Sequence, residues 1–406
     1  MGAGTAQRGA CLLISGKVRK NMEFVVFAGV LLLLFIFMIV QELIQTKNQE
    51  KLFKKYLREN YGKEPPKEYS LERFARLGSY LERHKEEKQL DDITWNDLGM
   101  DEVFRRIDRT YSAAGEEYLY YTLRNISCGR EALEHLEEVV NWLQEQENIK
   151  VRIQLLMKRL GHLGKYSLYD YLDNLDYLGE RSNRKIVLGN LLYLPFLLLL
   201  FVQPAMGTIG IVLCMLWHIM TYFREKKVIE PYIISFAYVL RLIDVCEELE
   251  KQKIPVYRRE LDELREALKS LRELRRGAYW VMAGNQGKIG GNPLDILADY
   301  LRMILHLDIF QFNRMLEKLR KKTGQVETML AITGYLDMAI SVGGFRKSLE
   351  GYCIPKLEED TEKAFLHMKK GWHPLLSQPV KNSIRADRGI LLTGSNASGK
   401  STFLKM

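Results

Sequence analysis

The residues with the clearest chemical potential form a glycine-rich loop near the carboxyl end of the 406-residue sequence. Four of them match the pattern GxxxxGK(S/T), which is typical of loops that hold nucleotide phosphates. Glycines let the backbone curl so that its amide N–H groups point at the phosphates, while the lysine reaches the β and γ phosphates and the serine hydroxyl binds Mg²⁺. The residues predicted to bind the phosphates of ATP are Gly394, Ser395, Asn396, Ala397, Ser398, Gly399, Lys400, Ser401 and Thr402.

The segments on both sides of the loop favour a phosphate site. The apolar run GILLT, residues 389–393, is predicted to be a buried parallel strand, and KSTFLK, residues 400–405, is predicted to begin a helix. Strand, loop and helix in this order are the setting that a phosphate loop requires. The alternative interpretation is a glycine-rich turn that binds no ligand.

Hydrolysis of ATP needs more than this loop. A second acidic ligand for Mg²⁺ and a group that positions water come from later strands in proteins with this loop. The sequence ends at Met406, before any such residue, so its catalytic residues are unknown. We expect the chain as given to bind ATP and Mg²⁺ without full ATPase activity, whether or not the full-length protein hydrolyses ATP.

Three charge-free apolar runs predict membrane segments. Phe24–Val40 is uncharged over seventeen residues, which as a helix is about 26 Å long, close to the thickness of a hydrocarbon core. The runs 186–202 and 206–223, separated by a short turn, are predicted to form a membrane hairpin. The alternatives are a cleaved signal peptide for the first run and a buried pair of soluble helices for the other two.

Basic residues beside the hairpin predict its orientation. They precede it at Arg181, Arg184 and Lys185 and follow it at Arg224, Lys226 and Lys227. By the positive-inside rule both flanks are cytoplasmic, so we expect a multi-pass protein of the cell membrane with its core and ATPase domain in the cytoplasm. This orientation conflicts with the basic tail before Met22, which leads to the hypothesis that translation begins at Met22.

Composition restricts the remaining possibilities. Five cysteines lie far apart without a CxxC pair, so neither a disulfide framework nor a zinc site is predicted. The net charge of +9 suits nucleic acid or anionic lipid as a partner, or neither. Between the membrane runs the pattern is helical, with Ser112 a predicted N-cap. After the hairpin, the leucines at 261, 264, 268, 271 and 274 are predicted to lie on one face of a single long helix spanning 248–276. A glycine-rich break follows at 277–293, and a domain boundary is expected near residue 350.

Several segments together resemble the MutS family. GWHPLL, VKNSI and GILLTGSNASGKSTFLK have the order and spacing of the opening of the MutS-type ATPase domain. FRRIDRTYSAAGEEYLYYTLRNI resembles the start of the MutS helical core, and LAITGYLDMAISVG resembles its long helix that leads into the ATPase. The resemblance covers residues 92–180 and 290–406.

The resemblance implies a DNA-binding ATPase of the mismatch-repair type that forms a homodimer through its ATPase heads. It also implies that Asn396 opens the loop in the family's usual way and that Asn382 and His373 lie near the adenine. The chain departs from the family at its N-terminus, where a membrane helix and a charged linker stand in place of the domain with the mismatch-reading Phe-x-Glu wedge. A membrane hairpin likewise stands where relatives have lever helices and a DNA clamp.

The predicted architecture is therefore mainly α, with transmembrane helices, a MutS-like helical core and the start of an α/β phosphate-loop domain. Its predicted parts are a tail (1–21), a transmembrane helix (22–40), a charged helical linker (41–91), the first part of the core (92–185), the membrane hairpin (186–223), the second part of the core (224–350) and the beginning of the ATPase domain (351–406). Two other functions stay open. They are an ATPase of an ABC-type transporter and a membrane scaffold that binds nucleotide without acting on DNA.

Overall fold

The computed structural model describes residues 37–41, 44–64, 69, 71–86, 88–126, 129–163, 167–275, 300–358, 365–395 and 398–406. The described chain is mainly helical, as predicted, and divides into two compact units, Met1–Asn60 and Tyr61–Met406. The predicted membrane helix at 22–40 lies outside the described residues except for 37–40. The glycine-rich break at 277–293 and the possible start at Met22 also lie outside them.

In the first unit, residues 44–60 form helix α1. In the second unit, helices with the following bounds build the fold: α2 (Leu71–Arg83), α3 (Asp92–Leu98), α4 (Met100–Ile107), α5 (Ala113–Arg124), α6 (Arg130–Glu145), α7 (Glu147–Leu160), α8 (Leu168–Asp173), α9 (Arg184–Leu191), α10 (Tyr193–Val202), α11 (Pro204–Glu250), α12 (Arg258–Leu271), α13 (Leu307–Arg320), α14 (Thr323–Lys347) and α15 (Lys400–Leu404). Two strands, β1 (Leu366–Gly371) and β2 (Asn382–Ala386), form an antiparallel sheet.

Helix α14 lies at the centre of the core, against α5, α6, α7 and α12. It packs closely on α5 because glycine occupies the contact on both helices. A Cβ atom at Gly115 would lie 2.4 Å from the Asp337 carboxylate, and one at Gly334 would lie 2.6 Å from the carbonyl oxygen of Ala114. The start of α5 is set by Ser112, whose hydroxyl accepts a hydrogen bond from the Gly115 amide at 3.1 Å. The predicted N-cap is therefore confirmed.

The segment predicted as the membrane hairpin is helical and forms α9, α10 and the first half of α11. Helix α10 packs on α11 at short distance, since a Cβ atom at Gly210 would lie 2.0 Å from the Phe196 ring. Only 6% of the most apolar part of Arg184–Val202 is buried. By length and composition this segment and Pro204–Glu250 can each cross a membrane.

Helix α11 connects this hairpin directly to the core. It has 47 residues and is about 70 Å long, with Pro231 in its interior. Apolar side chains are exposed in its first half, including Leu213, Trp217 and Met220, whereas the stretch after Ile229 is largely buried. A third apolar helix, α14, is also long enough to cross a membrane, but 72% of its most apolar part is buried inside the protein.

The prediction of a single helix over 248–276 is wrong. Helix α11 ends at Glu250, and α12 begins at Arg258 after a short 3-10 turn at Pro255–Tyr257. Proline at 255 has no amide hydrogen to donate to residue 251, and Ile254 before it is extended, so the helix cannot continue. The leucine face itself is correct, because Leu261, Leu264, Leu268, Leu271 and Leu274 are all buried.

Candidate nucleotide-binding site

The glycine-rich loop ends at the first turn of α15. Gly399 has a φ of +86°, a left-handed conformation that glycine adopts without steric cost, and α15 begins at the next residue, Lys400. The Phe403 amide donates to the Gly399 carbonyl at 2.9 Å, which joins the loop to the helix. The predicted order of loop and helix is therefore present, although α15 spans only five residues.

The Lys400 side chain folds back over the loop. Its ammonium group donates to the carbonyl oxygen of Gly394 and, at 2.9 Å, to that of Ser395. The Ser398 amide donates to the same Ser395 carbonyl at 3.3 Å, so the loop closes on itself. The lysine ammonium is thus held against the carbonyls of Gly394 and Ser395, where a phosphate oxygen would compete with these two carbonyls for its protons.

The other predicted loop residues fall into two groups. Ser401 and Thr402, on the first turn of α15, are exposed and can be reached from solvent. Asn396 and Ala397 lie outside the described residues. In the described part of the chain, no group of three or more His, Cys, Asp or Glu side chains could hold a metal ion.

The predicted buried strand at 389–393 does not form. These residues belong to no strand, and Ile390 and Leu391 are 53% and 88% exposed. A parallel strand is stable only between hydrogen-bonded neighbours, whereas β1 and β2 pair with each other in an antiparallel ladder. The described C-terminal residues therefore supply the loop and a two-stranded sheet rather than an α/β sheet.

The two residues predicted near the adenine lie beside this sheet. Asn382 begins β2, opposite Gly371, and its side-chain amide donates to the Val380 carbonyl at 3.1 Å. His373 is buried in the turn after β1, where its Nδ1 accepts a hydrogen bond from the Leu375 amide at 3.3 Å. Burial, together with the nearby Lys405 ammonium on α15, lowers the pKa of His373.

The core contains a buried polar cluster that sequence reasoning did not identify as a unit. Asp337 on α14 accepts hydrogen bonds from the amides of Tyr111 and Ser112, at 3.0 and 2.9 Å, and from the Ser112 hydroxyl at 2.6 Å. One turn further, Ser341 donates to the Ile107 carbonyl and accepts from the Arg109 amide, both at 2.8 Å. These bonds fasten the segment between α4 and α5 to the middle of α14.

Charged residues extend this cluster. Glu116 is fully buried and binds Arg73 and Arg76 of α2 at 2.5 and 2.7 Å. Its neighbour Glu117 accepts a hydrogen bond from the Ser167 hydroxyl at 2.8 Å, and burial raises the pKa of Glu117 to about 8. The only signal in the sequence was the presence of acidic residues inside otherwise apolar helices.

A second polar cluster lies where α13 meets the hairpin. His306 has a φ of +53°, and its ring lies 5.3 Å from that of His218 between centroids, with the two planes tilted by 50°. Burial lowers the pKa of His306 to about 4. Tyr222 donates to Asp308 at 2.8 Å and accepts from Lys226 at 2.9 Å. These contacts fix residues 306–308 to the part of α11 around residues 218–226.

Comparisons with known proteins identify no relative of this chain. No protein-family model matches it, and neither a curated protein nor a solved structure is significantly similar to it.

Proposed function

We propose that the loop 394–402 binds the phosphates of ATP together with Mg²⁺. The observation that carries the proposal is the position of Lys400, whose ammonium group sits over the curled backbone at Gly394 and Ser395. That is the group which, in the GxxxxGK(S/T) pattern, neutralises the β and γ phosphates. The left-handed Gly399 supports the proposal, because the turn into α15 requires it.

The loop has chemistry suited to a magnesium nucleotide. The exposed Ser401 hydroxyl is next to Lys400, so it can ligate a Mg²⁺ ion carried in by the phosphate oxygens. When bound, the ion neutralises phosphate charge, while Lys400 binds and orients the phosphates. Asn382 and His373 are proposed to lie on the adenine side, next to the sheet that precedes the loop.

We also propose that the chain is part of an ATPase of the MutS type. The proposal is supported by the way the two resembling segments meet in the core. Ser112, from the first segment, donates to Asp337 of the second, and Gly115 leaves room for that same carboxylate. The residues that carry the resemblance are therefore packing partners, separated by 225 positions in the sequence.

A MutS-type function brings further proposals with it. DNA is the proposed polyanionic partner, and a homodimer through the ATPase heads is the proposed assembly. Membrane anchoring is proposed through the run 22–40 and the hairpin, with the core and the loop on the cytoplasmic side. Exposed apolar side chains on the hairpin, such as Phe201 and Met220, support anchoring because their transfer from water into lipid is favourable.

The proposed Mg²⁺ ligation by Ser401 can be tested by measuring how tightly a fluorescent ATP analogue binds to the detergent-solubilised chain, once with Mg²⁺ and once with a chelator. We expect Mg²⁺ to strengthen binding, and Ser401→Ala to reduce that gain while Ser398→Ala changes it less. Binding that responds equally to Mg²⁺ in both variants would contradict the role of Ser401.

The DNA partner is tested by the salt dependence of binding to matched, mismatched and branched DNA, with and without ATP. Binding through phosphate contacts weakens steeply as salt rises. We expect such a salt slope and a change with ATP. Affinity that ignores both salt and nucleotide would contradict a role on DNA, and equal affinity for matched and mismatched duplex would contradict mismatch recognition.

A further inference from the structure

Helix α1 carries its basic residues on one face. These residues are Lys47, Lys51, Lys54, Lys55 and Arg58. At 100° per residue they fall within an arc of about 100° of the helix surface, so one side of the helix is a continuous basic stripe. Tyr56 lies on the opposite side of the same helix, and Leu52 lies between Tyr56 and the stripe.

Two acidic residues of α1 itself pair with this stripe. Glu50 approaches Lys54 at 2.6 Å, and Glu59 approaches Lys55 at 3.8 Å. Both are exposed pairs one helical turn apart, and such pairs contribute little free energy and are screened by salt. Five basic and two acidic side chains leave the described helix with a charge of +3.

The stripe lies next to the proposed membrane anchor. Lys47 is seven residues after Val40, the last residue of the apolar run, so it is about 10 Å beyond that run along a helix. Electrostatic attraction to a charged membrane surface extends over about one Debye length, which is also about 10 Å. The stripe is on one face of α1. If α1 tilts toward the membrane surface so that Lys47 meets the lipid headgroups, Lys51 and Lys54 therefore also move closer to the headgroups.

We propose that the basic stripe of α1 binds the headgroups of anionic phospholipids at the surface of the membrane that holds the chain. The inference rests on the proposed anchoring by the run 22–40. The partner is a negatively charged lipid rather than DNA, because the stripe begins within reach of the headgroups.

The test uses the full chain in nanodiscs of phosphatidylcholine alone or with about 30% phosphatidylglycerol. Exposed lysines are acetylated in a short pulse, and the modification of each is measured by mass spectrometry. We expect Lys47 and Lys51 to react several-fold more slowly in the anionic discs, Lys54 and Lys55 to be protected less, and 1 M salt to remove the difference. Lys269 of α12, which is half exposed and paired with Glu266, serves as internal control and should react equally in both discs.

Variants of the stripe show whether these lysines themselves hold the lipid. Replacement of Lys47 and Lys51 by Gln should lower the phosphatidylglycerol that co-purifies with the chain by about fivefold per charge removed, whereas Lys269→Gln should not. Equal acetylation of Lys47 and Lys51 in discs of both compositions would overturn this inference but not the proposed anchoring. The same holds if inorganic phosphate, added to phosphatidylcholine discs, protects these lysines as well as phosphatidylglycerol does. A chain that enters neither kind of disc would overturn the anchoring and the inference together.

Discussion

The helical core and the C-terminal segment 365–406 differ in which groups they bury and in how their polar groups are hydrogen-bonded. In the core, the Asp337 carboxylate is buried and accepts three hydrogen bonds from Tyr111 and Ser112. In the C-terminal segment, Leu391 is almost fully exposed, and Lys400 bonds to exposed carbonyls of its own loop. The core is therefore held by contacts between distant segments, whereas the loop conformation depends on bonds within a few residues.

The largest loss of stability is expected where the core cluster is broken. Asp337→Ala leaves two buried amides and the Ser112 hydroxyl without their acceptor, so we expect a loss of about 3 kcal/mol in the free energy of unfolding. Asp387→Ala in the C-terminal segment removes exposed contacts with Arg385 and His367 and should cost less than about 0.5 kcal/mol. Thermal unfolding in detergent measures the stability of both variants. Equal decreases in unfolding temperature would contradict the difference proposed between the core and the C-terminal segment.

A glycine pair tests the close packing of α5 on α14. Gly115→Ala places a methyl group 2.4 Å from Asp337, which we expect to cost about 2 kcal/mol through overpacking. Gly78→Ala on α2 meets no atom within 4 Å and should stabilise the helix by about 0.5 kcal/mol. Opposite signs of the two shifts in unfolding temperature are the expected result, and a stabilising Gly115→Ala would contradict the packing.

The raised pKa of Glu117 predicts a pH dependence of stability. The folded chain, with a pKa of about 8, binds this proton more tightly than the unfolded chain, whose pKa is the ordinary 4.5. Its contribution to stability is therefore complete below pH 4.5 and is lost as the pH rises to 8. Glu117→Gln should remove this loss and be more stable than the parent by roughly 4 kcal/mol at pH 8, since each pKa unit corresponds to about 1.4 kcal/mol.

At pH 5 the same variant and its parent should unfold at similar temperatures. Glu138→Gln on α6 is the matched control, because this carboxylate is exposed and should give the same difference at both pH values. A Glu117→Gln variant whose advantage does not grow between pH 5 and pH 8 would show that the folded carboxyl is not held in its neutral form.

The smallest effect is expected at the exposed apolar residues before the loop. Leu391→Ser should change the free energy of unfolding by less than about 0.5 kcal/mol, because the side chain is already in solvent. Leu336→Ala on α14 removes a fully buried side chain and should cost about 3 kcal/mol. A large loss with Leu391→Ser would mean that another surface covers this residue in the protein as it exists in solution.

Local patterns in the sequence predicted local features correctly. Predictions from these patterns were wrong where a helix-breaking residue or a spatial neighbour distant in sequence determines the structure. The Ser112 cap, the buried leucine face and the hairpin follow from short-range spacing. The helix predicted over 248–276 is interrupted because Pro255 outweighs the leucine period. The strand predicted at 389–393 needs hydrogen-bonded partners that no local pattern supplies, and the pairing of Asp337 with Ser112 joins positions too distant for a single sequence to connect.

Binding of nucleotide through Lys400 can be measured by equilibrium titration of the detergent-solubilised full chain with ATP. Lys269→Ala is the matched control, because it removes the same charge from α12, outside the proposed site. We expect Lys400→Ala to weaken ATP binding by at least tenfold, since a charged hydrogen bond to phosphate is worth about 1.5–3 kcal/mol, and Lys269→Ala to leave it nearly unchanged. Full affinity in Lys400→Ala, or equal losses in both variants, would contradict a phosphate-binding role for the loop.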